Sequence, residues 1–557
     1  MRKILAIVIT LCLLLTFVGC QNKNDGNDLK DDYSSSDTSS VDNTSSGSSV
    51  DNTSSDKTNT SSSKNPNSNS NSNPNLPRNT LQISYNVNSK EVLKTTFSTE
   101  FWGMPFARED DGRFTRDGYV LLGYSFDKDG KGELIRPGHK YSVPDKDKVL
   151  NLYCVWAKET SSSSFKTVSK TSDTVFITGY TGKDKVVYIP RKIGNKTVTG
   201  IASGAFSNNK TLTEVHITSS ITTVEAKAFA NCSNLTKVTV YDNLKSISNA
   251  SFTGSPVKTV RMCAAITPRY ITSDETYGIK YERLIKTKGE KRIIVVAGSS
   301  ALFGIDSNYM ENQFQDNYTV INFGTNANMN IIFFLEAIIP HLTKNDIVIF
   351  APEQYGPFAY YTNGNPEFTN VTLQGIASCY NMLENIDASL YTEVFNSIMQ
   401  YCILSDKMPE LAWDNYGDEL NKLGDLAKLT DKMNSPTYHN AANGEFRFDS
   451  TVIPAEYISN LNRVIDKTSK SGAKIFFSYP PHNKNNVKAT HLNARTYTSY
   501  NNWIAKTVKC PLISDIRNYI YNGEYFANTD YHLNAVGRQM HSKQLAKDII
   551  NAGIGVK

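Results

Sequence analysis

Between residues 201 and 252 the chain repeats itself, and this constrains its fold more than any other feature. Ile201-Ala202-Ser203-Gly204-Ala205-Phe206, Val224-Glu225-Ala226-Lys227-Ala228-Phe229 and Ile247-Ser248-Asn249-Ala250-Ser251-Phe252 recur every 23 residues. Leu212 and Leu235 keep the same spacing, as do Val215 and Val238, while Val260 arrives one residue early in the third copy. Apolar residues at fixed offsets within a period of roughly 20–29 residues predict a solenoid, because one coil cannot bury its apolar face without the next. Three coils are about the minimum for stability, so residues 175–193 are read as a cap and the repeat domain as 165–270. So few coils present little concave surface, which favours a spacer, with a protein ligand for the repeats as the alternative.

The segments before the repeat differ in kind. Arg2 and Lys3 precede an apolar run over residues 4–18, too short to be retained comfortably as a membrane-spanning helix, which ends in Phe17-Val18-Gly19-Cys20. Residues 21–79 are nearly all Ser, Asn, Asp, Thr and Lys, with Pro66, Pro74 and Pro77. Such a segment buries too little apolar surface to offset its ordering entropy and reads as a tether, with a coil dimension of about 40–45 Å. Residues 80–158 read as a small β-rich module, with strands over 81–87, 119–125 and 149–156 separated by Gly- and Asp-rich turns. The loop Asp127-Lys128-Asp129-Gly130 lacks the ligand series of a calcium-binding hand and is expected to be a plain turn.

The chain as a whole excludes several classes. With 59 basic and 54 acidic residues the net charge is +5, which gives no argument for nucleic acid as a partner. Besides Cys12 and Cys20 the cysteines are Cys154, Cys232, Cys263, Cys379, Cys402 and Cys510. They form no CxxC pair and no metal-ligand spacing, so individual thiols are expected and no metal site is predicted.

From residue 281 to 557 continuous apolar runs, Arg292-Ile293-Ile294-Val295-Val296-Ala297, Asp346-Ile347-Val348-Ile349-Phe350 and Lys474-Ile475-Phe476-Phe477-Ser478-Tyr479, alternate with helical patterns over 330–341 and 455–471. This order predicts an α/β domain whose mainly parallel sheet is covered on both faces. The first strand runs into Gly298-Ser299-Ser300-Ala301-Leu302-Phe303-Gly304, and a Ser at that point sits where open α/β folds put their chemistry. Near the other end, Asn528-Thr529-Asp530-Tyr531-His532-Leu533-Asn534-Ala535-Val536-Gly537 sets an acidic residue and a His before a terminal helix. A Ser hydroxyl needs a base to take its proton, and the base needs an acceptor to fix its tautomer, so Ser300, His532 and Asp530 are the catalytic candidates. His482 also falls at a strand end, and Tyr355, Tyr360 and Tyr361 are candidates either for stacking on sugar rings or for a core or lid role.

These segments resemble known families. Phe17-Val18-Gly19-Cys20 resembles a lipobox, which implies lipidation at Cys20 and cleavage of the leader, residues 1–20. The string Arg116-Asp117-Gly118-Tyr119-Val120-Leu121-Leu122-Gly123-Tyr124-Ser125, with Pro137-Gly138 and Leu152-Tyr153-Cys154-Val155-Trp156, resembles the internalin-type B-repeat. The 23-residue phrase resembles the BspA-type leucine-rich repeat. Residues 290–550 resemble the SGNH/GDSL hydrolase superfamily, in the GSS form of surface-polymer acyl-transfer relatives. That likeness implies a three-layer α/β/α domain with Ser300 as nucleophile and His532 as base. It also implies an oxyanion hole built from the Ser300 and Gly324 amides, Gly324 lying in Asn322-Phe323-Gly324. The chain departs from the family in two places. After the strand ending at Phe350 the usual Asn is replaced by Ala351-Pro352-Glu353-Gln354-Tyr355, leaving Gln354 as a donor and Glu353 as a group that supports the catalytic residues from behind or faces the substrate. Three residues before His532 stands Thr529 instead of Asp, with Asn528 one position earlier, so a Ser–His dyad and a triad with Asp530 both stay open.

The expected layout is thus a lipoprotein on the outer face of a bacterial membrane: leader, stalk, β module, leucine-rich-repeat solenoid, SGNH-like domain. The expected function is a Ser-dependent O-acyl ester hydrolase or acyltransferase on acylated envelope glycans, needing no cofactor. The alternative is a surface adhesin whose hydrolase-like domain is degenerate.

Overall fold

A computed structural model describes residues 80–87, 92–98, 110–139, 141, 149–247, 249–265, 276–315, 317–326, 329–354, 361–362, 365–366, 368, 370–377, 379–386, 394, 397–398, 421, 423–427, 429, 445–527 and 529–555. The leader with Cys20, the stalk, Tyr355, Tyr360, Cys402 and Asn528 lie outside the described residues. No helix among the described residues is long and apolar enough to cross a membrane.

The first module is one sheet of β1 (Thr80–Asn86), β2 (Val92–Ser98), β3 (Tyr119–Ser125) and β4 (Val149–Lys158), in the order β2-β1-β4-β3. Sequence reasoning did not anticipate β2, whose Val92-Leu93-Lys94-Thr95-Thr96-Phe97-Ser98 has no clean alternation; it follows β1 back in antiparallel register from Thr80↔Ser98 to Asn86↔Val92. Tyr85, Phe114 and Tyr124 pack edge-on at the centre of its apolar cluster. The 127–130 loop closes as a turn, the Gly130 amide donating to the Asp127 carbonyl at 2.9 Å.

The repeat follows. Strands β5 (Phe165–Ser169), β6 (Thr174–Tyr180), β8 (Lys192–Ile193), β9 (Lys196–Ile201) and β11 (Thr223–Val224) form one sheet. A second, all-parallel sheet runs β13 (Thr259–Cys263), β12 (Lys237–Tyr241), β10 (Glu214–His216), β7 (Val186–Tyr188). Its register aligns Val187, Val215, Val238 and Val260, so the early arrival of Val260 is absorbed without breaking the ladder. Phe206, Phe229 and Phe252 stack coil on coil, with centroids 4.7 and 5.4 Å apart and planes within 19° and 14°. Asn208, Asn231 and Gly254, at successive 23-residue steps, all take positive φ, a conformation these three residue types tolerate.

The C-terminal region begins with α1 (Thr276–Lys286) and is built on β14 (Arg292–Ala297), β15 (Thr319–Gly324), β16 (Asp346–Phe350) and β19 (Lys474–Phe477). The order is β15-β14-β16-β19 and every pairing is parallel. Two hairpin strands, β17 (Tyr361–Thr362) and β18 (Asn365–Pro366), and a small pair, β20 (His482–Asn483) and β21 (Ile520–Tyr521), lie outside this sheet. Side chains of β14 alternate between two apolar clusters, Ile294 and Val296 on one face, Ile293, Val295 and Ala297 on the other. The first cluster takes in α4 (Ile331–Ile338) and α6 (Ala455–Lys470). The second takes in residues of α2 (Ser299–Gly304), α3 (Ser307–Glu311) and α8 (Ala535–Asn551). Two further helices are α5 (Asn370–Ala377) and α7 (Ala494–Thr507). At the amino edge of the sheet Arg292 and Asp346 form a bidentate ion pair at 2.7 Å with both residues fully buried.

Charged contacts join the three modules. The Arg136 guanidinium of the β module donates to Glu384 of the C-terminal domain at 2.6 Å, and Arg261 of the last repeat strand also approaches Glu384, at 3.6 Å. Asp110 pairs with Arg191 of the repeat, and the Tyr380 hydroxyl donates to Asp242 at 3.1 Å. Among the described residues Cys154, Cys232, Cys263, Cys379 and Cys510 are free thiols, all but Cys154 buried.

Candidate functional site

The parallel sheet fixes where chemistry can gather. From β14 the chain steps outward to β15, then returns across β14 to β16, so the strand order reverses between β14 and β16. Loops leaving the carboxyl ends of two such strands diverge and leave room between them. The residues that diverge here are Gly298-Ser299-Ser300 after β14 and Ala351-Pro352-Glu353-Gln354 after β16.

They meet in an unusual way. Glu353 is fully buried, and its carboxylate lies on backbone amides: the Ser300 N–H donates to Oε1 at 2.8 Å and the Gly298 N–H to Oε2 at 2.9 Å. A Cβ on Gly298 would stand 2.5 Å from both carboxylate oxygens, so only glycine admits this approach. Burial raises the Glu353 pKa above the usual carboxylate value, opposed by the Ser300 hydroxyl and by the two amides. Ser300 is itself only 1% exposed. Its Oγ makes no hydrogen bond of regular geometry among the described residues, yet it stands near enough the carboxylate to favour its ionised form.

His532 approaches from the loop before α8. Its ring stacks face to face on Phe303, three residues beyond Ser300 on α2, with centroids 3.9 Å apart and planes 6° apart. Burial pushes its pKa down to about 3, so the ring is neutral at pH 7. Thr529 supports this loop through its hydroxyl oxygen, which accepts from the Tyr531 amide at 3.2 Å and the His532 amide at 3.0 Å. Asp530 is buried, its Oδ2 accepting from Asn486 Nδ2 at 2.9 Å and its carbonyl from the Asn483 amide at 3.1 Å.

Gly324 is where α2 rests on β15. A Cβ there would fall 2.3 Å from the Leu302 nitrogen, which requires glycine. Its N–H donates to Asn322 Oδ1 at 2.9 Å, and its carbonyl accepts from Lys280. Asn322 Nδ2 donates to the Ala301 carbonyl at 3.1 Å and to Asp425 Oδ1 at 3.0 Å, and Asp425 also takes the Ser307 amide and hydroxyl at 2.8 and 2.9 Å. Burial pulls the Lys280 pKa down to about 7, with the Asp425 carboxylate pulling the other way. This network clamps α2 and α3 to β15.

Gln354 is engaged by aromatic hydroxyls. Its amide donates to the Tyr531 hydroxyl at 2.9 Å and its Nε2 to the Tyr500 hydroxyl at 3.5 Å, while its buried Oε1 makes no hydrogen bond among the described residues. His482 lies fully buried among the rings of Phe446, Phe448 and Tyr531, and burial holds its pKa near 3.

Glu353, Gly324 and His532 therefore gather around α2, which carries Ser300 and Phe303, and Gln354, Asp530 and His482 gather around Tyr531. Phe303 could have been suspected from its position one turn beyond Ser300. Lys280 and Asp425 could not, because neither lies in a motif. No group of His, Cys, Asp or Glu among the described residues is arranged to hold a metal ion.

Comparison with known proteins bears on the repeat. Residues 189–273 match the BspA type leucine rich repeat region, in six copies. Among solved structures the chain is similar to a leucine rich repeat protein of T. pallidum, at 19% identity and a TM-score of 0.18, over 34% of this chain and 71% of that one. It is also similar to a leucine rich cell surface protein of Faecalibacterium prausnitzii, at 18% identity and a TM-score of 0.15, over 35% and 45% of the two chains. No curated protein matches the chain. The chain is thus multidomain and carries BspA-type leucine-rich repeats.

Proposed function

We propose that the C-terminal domain is an SGNH/GDSL-type serine O-acyl hydrolase or acyltransferase, carried by a surface lipoprotein and acting on acylated envelope glycans. The observation that carries this reading is the convergence, at the carboxyl edge of a parallel sheet, of Ser300 on α2 with the His532 loop, which is stacked on the same short helix. Ser300 Oγ attacks the acyl carbonyl while His532 takes the hydroxyl proton. The tetrahedral intermediate then expels the sugar alcohol, which leaves with that proton. The acyl group, now an ester of Ser300, passes to water or to a second sugar hydroxyl, and Ser300 regains its proton through His532. The Ser300 N–H is the oxyanion donor, and a single donor is worth roughly 10²–10³ in rate. Lipidation at Cys20 ties the domain to the outer surface of the cell, where a wall or capsule polymer lies.

A second reading is favoured by one observation: the Ser300 amide is already bonded to Glu353 and the Gly324 amide to Asn322, so neither faces a substrate in this conformation. In that reading the repeats bind a protein at the surface and the C-terminal domain is a platform. Hydrolysis of a panel of acetylated sugars and simple aryl esters by the full chain decides between them. The enzyme reading expects turnover that Ser300→Ala and His532→Ala each abolish; turnover equal to background in all three proteins supports the platform.

A further inference from the structure

We propose that Glu353 is a built-in plug, a carboxylate that occupies the amides a substrate oxyanion needs, so that the reaction is slowed until the 351–354 segment withdraws. The inference rests on the reading of Ser300 as nucleophile and adds how that site is controlled.

Three observations carry it. Both carboxylate oxygens are engaged, one by Ser300 and one by Gly298, at lengths typical of charge-assisted hydrogen bonds. A tetrahedral oxyanion at Ser300 would present the same charge to the same N–H, so plug and intermediate exclude each other. Second, Gly298 leaves room for the carboxylate and for nothing larger than hydrogen at its own Cα, which ties the strand end to the occupant. Third, Ser300 is 1% exposed with a buried Oγ that has no regular hydrogen-bond partner among the described residues, a nucleophile that is present but covered. A general-base role for Glu353 fits less well, because its two oxygens are spent on main-chain donors.

The turn that would have to move is held by identifiable contacts. Beyond Glu353, the Gln354 amide donates to the Tyr531 hydroxyl, and Tyr531 neighbours His532 in sequence. Withdrawal of Glu353 and rearrangement of the His532 loop are therefore mechanically linked through Tyr531.

A fluorophosphonate probe, which captures an activated serine as its phosphonyl ester with loss of fluoride, tests the plug on the full chain. Labelling rates are compared for wild type, Glu353→Gln, Glu353→Ala and Ser300→Ala, with the labelled peptide identified by mass spectrometry. Glu353→Gln keeps the volume but offers one acceptor oxygen in place of two; Glu353→Ala removes both. Since one oxyanion donor is worth about 10²–10³, both variants should label Ser300 roughly ten- to a hundredfold faster than wild type, and Ser300→Ala should not label. Equal Ser300 labelling in wild type and both variants overturns the plug while leaving the serine reading intact. No Ser300 labelling in any protein overturns both. If the variants do not fold, a crystal structure of the wild-type adduct decides: Glu353 displaced from the Ser300 amide supports the plug, and Glu353 still bonded to it overturns it.

Discussion

Phe229 and Glu353 are both fully buried, but by different kinds of neighbour. Phe229 lies between Phe206 and Phe252, each 23 residues away, in a stack that any copy of the repeat would make. Glu353 lies on amides 53 and 55 residues earlier in the chain, through contacts that occur once and depend on Gly298. Burial in the repeat is mainly apolar, periodic and shared among coils, with His216, Thr239 and Asp242 among its buried polar exceptions. Burial in the C-terminal domain includes ionisable groups that must each find a specific partner. A fold assembled in the first way is robust and chemically quiet. The second way concentrates charge and neutral imidazole where reactions can be run, and makes the domain sensitive to conditions.

Acid should expose that contrast most strongly. His482, His532 and His541 in the C-terminal domain, and His139 and His216 near the module junction, have their pKa pushed from 6.5 to about 3 by burial. Below about pH 6.5 the unfolded chain takes up protons that the folded chain refuses, so stability falls as pH drops toward 3. The slope approaches roughly 1.4 kcal/mol per pH unit for each such group. Glu353, Asp110 and Asp548, whose pKa values are raised by burial, work in the opposite direction and offset part of the loss. The net expectation is a fall of roughly several kcal/mol between pH 7 and 5. Hydrogen exchange should show C-terminal amides opening before those of the stacked repeat; simultaneous opening would break the comparison.

Next in size is the ion pair at the amino edge of the sheet. Asp346→Ala leaves the Arg292 guanidinium buried without its carboxylate and should cost about 3–5 kcal/mol in denaturant unfolding. Replacing both partners with Leu and Met should recover most of that loss. In the repeat, Phe229→Leu keeps apolar volume and forfeits the stacking, an expected cost of about 1–2 kcal/mol. The smallest effect has the opposite sign. Lys227 has φ 63°, a strained conformation for a side chain with a Cβ, so Lys227→Gly should raise stability by about 0.5–1 kcal/mol. A loss there would mean that the Lys227 side chain holds more than its backbone position suggests.

The same contrast explains what could be read from residues alone. The repeat was legible because period and burial are one fact: Val215 and Val238 pair at the spacing at which they recur. Three of the four strands of the C-terminal sheet were legible as apolar runs, while β15 was not, and the helical pattern read over 330–341 is α-helical only over Ile331–Ile338, because Pro340 lacks the amide to continue it. The position of Ser300 at a strand end was legible too. The partner of its amide was not, since Glu353 at a strand end is as compatible with solvent as with a buried amide pair until β14 and β16 are known to be neighbours. Asp425 gave no signal, being 103 and 118 residues from the Asn322 and Ser307 it binds.

The most direct test of the central claim, that Ser300 is the nucleophile of an acyl-transfer site, is the mass of the full chain after prolonged exposure to an excess of the fluorophosphonate probe. The account predicts a single adduct that maps to the peptide containing Ser300 and is absent from Ser300→Ala. An unmodified chain, or an adduct that persists in Ser300→Ala, would contradict it.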